Sequence, residues 1–80
     1  MNMKLVESST LLAIGYDDTD KILQLEFRSH AIYRYIGVPV SVYESLEAAP
    51  SKGRYFNGAI RGHFSHSLTS KTDADQRGES

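Results

Sequence analysis

Eighty residues without a cysteine make one small domain that must hold itself by packing, which excludes disulfides, thiolate nucleophiles and thiolate metal sites. Nine Lys and Arg against ten Asp and Glu leave a formal net charge of -1, so no global pull toward nucleic acid or anionic membrane exists and any such binding rests on a local patch. Met1 to Glu7 carries no long apolar stretch or cleavage site, and the aliphatic run Leu11 to Ile14 is far too short to span a bilayer; a soluble, cytoplasmic protein with no membrane partner is expected.

In chain order, Ser9 to Tyr16 is rich in aliphatic residues and predicts a first strand. Asp17-Asp18-Thr19-Asp20 is a turn, because short Asx and Thr side chains satisfy nearby backbone groups. Lys21 to Arg28 alternates Leu23, Leu25 and Phe27 against Gln24, Glu26 and Arg28, the pattern of a strand with one buried face. Ala31 to Ile36 completes an antiparallel meander. Its hairpin admits two registers. A two-residue loop at Ser29-His30 opposes Glu26 to Tyr33 and Leu25 to Arg34, with both tyrosines on the polar face. A three-residue loop is read as opposing Phe27 to Tyr33 and Glu26 to Arg34; it gathers Leu23, Leu25, Phe27, Tyr33 and Tyr35 on one face, pairs unlike charges on the other, and is preferred.

Beyond Pro39, Val42, Leu46 and Ala49 recur at helical spacing with Tyr43 beside them. Ser41 with Glu44 offers a capping box, and Pro39 alternatively opens the first turn. Pro50 stops this helix at Ala49, and Ser51 caps a second one in which Phe56, Ile60 and Phe64 are expected to bury. Arg54, Asn57 and Arg61 stripe another face, Gly53 and Gly58 read as places of close backbone approach, and Gly62 reads as the stop. From Ser65 onward apolar anchors are scarce, which reads as a disordered tail. The expectation is therefore an α+β domain over residues 6–64, ordered β-β-β-α-α, with a three-stranded meander, two helices on one face and a tail at 65–80. Ile32 and Ile36 make the opposite sheet face unusually apolar for solvent, a candidate contact surface.

Taken together, Ile14-Gly15-Tyr16-Asp17, Leu23-x-Leu25-x-Phe27, Tyr33-x-Tyr35, Val38-Pro39, Val42-Tyr43, Ala49-x-Ser51-x-Gly53-x-Tyr55-Phe56-Asn57 and Ile60-Arg61 resemble the KTSC domain family. That family is named for a module at the C-terminus of some lysyl-tRNA synthetases and occurs also as a stand-alone bacterial protein. The resemblance implies an accessory module without an established activity, for which RNA binding has been inferred from domain context. One departure is His30, where members commonly carry Gly in the turn between the second and third predicted strands; His tolerates a positive φ less well.

For chemistry, Tyr33 and Tyr35 read either as a stacking platform for unpaired bases or, in the preferred register, as core residues under the helices with Arg34 on the opposite face. Lys52, Arg54, Arg61 and His63 fall between Ser51 and Phe64 without an acid, a local phosphate-binding patch or a solvated helix face. His63 and His66 have no third ligand nearby, and Asp17, Asp18 and Asp20 lack the central Gly and distal Glu of a calcium loop, so no metal or cofactor is expected. Ser8, Ser9 and Ser51 have no recognisable base beside them, nor do Glu44 and Glu47 have a hydroxyl to serve. The reading is a non-catalytic module that binds RNA through Tyr33, Arg34, Tyr35, Lys52, Arg54, Asn57 and Arg61. The alternative is a protein-interaction module or small homodimer using the outer sheet face or a sheet edge.

Overall fold

The alternation at Leu23, Leu25 and Phe27 is the pleat of the middle strand in a five-stranded antiparallel sheet of order β1-β2-β3-β4-β5. In this computed structural model, which describes residues 3–71, the strands are β1 (Met3–Leu5), β2 (Leu11–Asp17), β3 (Ile22–Phe27), β4 (Ala31–Ile36) and β5 (Ser65–Lys71). Between β4 and β5 the chain forms α1 (Val40–Ala48) and α2 (Lys52–Tyr55), and α2 runs on into a π-helical turn at Phe56–Ile60. Leu46, Phe56 and Ile60 from these helices bury against Leu11, Ile14, Leu23, Leu25 and Tyr35 of the sheet, so the core is one layer between helices and strands.

The α+β expectation holds, and the strand count is corrected from three to five. β1 pairs with β2 through Met3↔Gly15 to Leu5↔Ala13. β5 is made from the part of the expected disordered tail that reaches Lys71; residues 72–80 of that tail lie outside the described residues. Backbone pairing with β4, from Ala31↔Lys71 to Ile36↔Ser65, orders a polar segment whose side chains, Leu68 apart, give no hydropathy signal.

The β3-β4 hairpin resolves the register question by a third pairing. Leu23 lies opposite Tyr35, Leu25 opposite Tyr33 and Gln24 opposite Arg34, which leaves Arg28-Ser29-His30 as a three-residue loop. The side preference for the tyrosines was right: they share the helix-covered face with Leu23 and Leu25. The expected three-residue loop forms, but its placement at Arg28-Ser29-His30 sets Glu26 against Ile32 and Leu25 against Tyr33, so the pairings Phe27 to Tyr33 and Glu26 to Arg34 were wrong by two residues. Arg34 instead donates from Nε to Gln24 Oε1 at 2.8 Å. His30 does occupy the left-handed region, at φ 72°, and its N–H donates to the Phe27 carbonyl at 2.8 Å. A left-handed third residue is how such loops match the strand twist, at some cost to a side chain with a Cβ.

At the helix ends, Pro39 stands at the N-cap of α1 with extended backbone and no side-chain cap, so the Ser41–Glu44 box does not form; both residues lie inside the helix. The helix ends where Pro50 requires, with Ala49 extended at φ -66° and ψ 135°. Ser51 caps α2 as expected, its Oγ accepting the Arg54 N–H at 3.3 Å. Gly53 is a true close approach: a Cβ there would lie 2.4 Å from Thr10 Oγ1, so the absence of a side chain is what lets α2 settle on the start of β2. Asp17 Oδ1 accepts the N–H groups of Thr19 (2.9 Å) and Asp20 (3.2 Å), the expected Asx turn. β1 is tied across to α1 by an ion pair between Lys4 and Glu47.

Candidate ligand-binding cleft

Strand alternation in β4 sends Tyr33 and Tyr35 to the helix side and Arg34 to the other. α1 and α2 cover the β2-β3 part of that side, but toward β5 the helices give out and the tyrosines border a cleft of ≈ 550 Å³. Register places His66 opposite Tyr35, and its ring stacks on Tyr35 with centroids 5.2 Å apart and planes 29° from parallel. Tyr33 completes a triangle, 6.5 Å from Tyr35 and 5.6 Å from His66. Phe27 and Phe56 meet these rings edge-on, Phe27 against Tyr33 at 5.7 Å and Phe56 against Tyr35 at 5.8 Å, which fixes their orientation.

The rim of the cleft is polar and comes from three places. The π-helical turn brings Asn57 and Arg61, the start of β2 brings Thr10, and the β3-β4 loop brings Ser29. The turn closes with Arg61 N–H donating to the Phe56 carbonyl at 2.8 Å, five residues back, and Gly62 at φ +79° then breaks the helix and releases the chain into β5. π-turns inside helices recur at functional sites because they re-aim the side chains that follow them. Tyr35 is nearly buried, and burial pushes its phenol above the ordinary range; the neighbouring Tyr33 adds to the rise and the Arg61 guanidinium opposes it. Among the described residues no carboxylate lines the cleft. An aromatic floor with, among the described lining residues, the Arg61 guanidinium, the Asn57 amide and the Thr10 and Ser29 hydroxyls around it is equipped to hold a planar ring bearing negative charge.

Of the seven residues named from sequence, the structure brings four together: Tyr33, Tyr35, Asn57 and Arg61. Arg34 is on the opposite sheet face, bonded to Gln24. Lys52 donates from Nζ to the Ala49 carbonyl at 3.2 Å, at the far end of α2. Arg54 borders a separate, shallower depression of ≈ 310 Å³ with Pro50 and Tyr55. The basic stretch is thus divided among different surfaces and is no single patch. The sequence reading missed His66, Thr10 and Ser29. The alternation His66, Leu68 against Ser65, Ser67 was the one available signal for His66, and a run of polar residues masked it.

Two of the three candidate hydroxyls, Ser8 and Ser51, have structural employment. Ser8 Oγ accepts the N–H groups of Thr10 (3.0 Å) and Leu11 (3.1 Å), and Ser51 Oγ is the cap of α2. Among the described residues no group of three His, Cys, Asp or Glu is placed to hold a metal ion, and no helix is long and apolar enough to cross a membrane.

A five-stranded antiparallel sheet with two short helices on one face and an open aromatic cleft beside them defines a small α+β module. The KTSC domain model matches residues 7–64, and the chain belongs to that family. A crystal structure of a KTSC domain protein from Yersinia pestis superposes with a TM-score of 0.84 at 38% identity, covering 86% of this chain and 97% of the other. A stand-alone relative from Tsukamurella paurometabola is 45% identical over 62 residues, 78% of this chain and 92% of its own length. A lysine--tRNA ligase from Nostoc sp. is 47% identical over 60 residues, 75% of this chain but 11% of the ligase. The chain therefore spans about a tenth of that enzyme, and the same module occurs both alone and inside a much longer protein.

Proposed function

We propose that the protein is a non-catalytic module that binds single-stranded RNA at the aromatic cleft, in a reducing cytoplasm compatible with a chain that has no cysteine. The observation that carries this reading is the meeting of three stacked or tilted rings, Tyr33, Tyr35 and His66, with Arg61 at their rim. Unpaired bases are held in this way, by stacking on ring faces with a cation on the backbone. The occurrence of the module in a ligase whose substrate is an RNA accords with it. Because Arg61 is the one Lys or Arg among the described residues bordering the cleft, binding should be weak and its salt dependence shallow, about -0.7 in log K per log salt for one phosphate contact.

NMR titration with short unstructured RNAs at low salt tests the reading. Shifts are expected at Tyr33, Asn57, Arg61 and His66, with Arg34→Ala and Arg54→Ala leaving affinity unchanged. A spectrum that does not move at low salt sinks it.

A second reading, self-association or protein contact through the outer sheet face, rests on Leu5 and Ile36, which are 78% and 48% exposed on the side away from the helices. Its signature is a sedimentation mass that rises with concentration and falls back on Ile36→Lys; a constant monomer mass with no partner recovered counts against it.

A further inference from the structure

Resting on the RNA reading above, we infer that the cleft is a one-nucleotide slot, with the base lying on His66 and bordered by Tyr33, whose ring is tilted 54° from it, and its phosphate on Arg61. Three observations combine. The cleft measures ≈ 550 Å³, within the range of small-ligand sites and too small for a run of stacked bases. Its ring surface is already partly spent internally, since Tyr35 is 4% exposed and roofed by Phe56 and His66, which leaves the half-buried Tyr33 and the exposed His66 as the faces a ligand can use. And one guanidinium with no opposing carboxylate among the described lining residues matches one phosphate, with Asn57 beside it offering both a donor and an acceptor to a base edge. Lys52 and Arg34, which a longer strand would need, point their charges elsewhere, to the Ala49 carbonyl and to Gln24. His66 thereby becomes a binding residue, and β5 the element that completes the site, although it lies beyond the stretch matched by the family model.

The chemistry recognised is a nucleoside monophosphate unit, and it has two sources, a free mononucleotide or one residue of an RNA strand. The experiment separates them by titrating 5′-AMP, adenosine, inorganic phosphate and an unstructured pentaribonucleotide against the full chain, following amide shifts at Tyr33, Asn57, Arg61 and His66. The expected result is that AMP moves these resonances, adenosine moves them more weakly, phosphate alone barely does, and AMP displaces the pentamer. His66→Ala should weaken AMP about tenfold, the loss of one stacking partner. Arg61→Gln should abolish the preference for AMP over adenosine. Both side chains are exposed, so both variants keep the fold. If the pentamer binds at the cleft and AMP does not, the one-nucleotide slot is overturned and the RNA reading stands. If AMP binds and the pentamer does not, the slot stands and the RNA reading falls. If neither binds, both fall; and if Arg61→Gln keeps the phosphate preference, the assignment of Arg61 is wrong.

Discussion

The helix-covered side of the sheet divides into two halves built from the same kind of residue and finished differently. On the α1 half, Tyr16 lies flat against Tyr43 at 5.2 Å and 13°, its hydroxyl donates to the Val38 carbonyl, and Val38 and Leu46 are fully buried. On the β5 half, Tyr33, Tyr35 and His66 make an aromatic cluster of similar spacing, but the helix above has ended in a π-turn and left them a cleft. Tyr16 reaches a backbone partner inside the protein, while the rings beside β5 face a polar rim of Thr10, Ser29, Asn57 and Arg61. The difference teaches that an aromatic-rich sheet face is neither core nor platform by composition; what stands over it decides.

This contrast breaks most sharply under truncation. Leu46→Ala on the closed half should cost about 2–5 kcal/mol in urea unfolding, because a buried leucine leaves a cavity that neighbours fill only partly. His66→Ala on the open half should stay within about 0.5 kcal/mol, as for an exposed surface site. Equal losses at the two positions would mean the halves are not distinct. Next in size, Gly53→Ala should destabilise by roughly 1–3 kcal/mol, since the new Cβ meets Thr10 at 2.4 Å where helix and sheet join. An unchanged midpoint there would show that α2 floats above the sheet. Ser51→Ala should cost about 1 kcal/mol through the lost cap, detectable as a lower thermal midpoint and earlier hydrogen exchange in α2.

The smallest effect lies at high pH. Burial raises the Tyr35 phenol in the folded state above its unfolded value, so the folded form holds that proton more tightly. The resulting stability is complete below the unfolded value near pH ~10 and is lost as pH rises through the higher folded one. Unfolding midpoints should therefore fall from about pH 10 upward, and Tyr35→Phe should blunt the fall. A wild-type midpoint that rises over that interval would contradict the burial.

The central meander, the cap at Ser51, the stop before Pro50 and the face of the tyrosines were legible because each is written in local chemistry: alternation, a hydroxyl, a ring-locked residue, a period of two. The exact hairpin pairing was not: the three-residue length was read correctly, but its placement depends on His30 ending the loop in a left-handed backbone that its sequence neighbours do not announce. β5 was illegible for a different reason. An edge strand of mostly Ser, His and Thr is held by the backbone of β4, and Leu68 is its single apolar trace in side-chain hydropathy. The site was half readable in consequence: Tyr33, Tyr35, Asn57 and Arg61 lie on elements that announce themselves, while His66 lies on the one that does not. Arg34, Lys52 and Arg54 were drawn in by charge alone, which sequence distance cannot sort into faces.

The turn at Phe56–Ile60 carries one residue more than an α-helix would use for the same advance. In an α-helix each residue turns the chain by about 100°. Deleting Gly58 would remove that extra residue and let the segment close in regular α geometry over the same advance, so Arg61 would keep its place on the rim and β5 its phase against β4. Keeping the residue while winding the segment as a regular α-helix would instead swing Arg61, and everything after it, by that angle about the axis. The turn is thus slack taken up in the winding, and a relative one residue shorter here carries the same cleft on an ordinary helix.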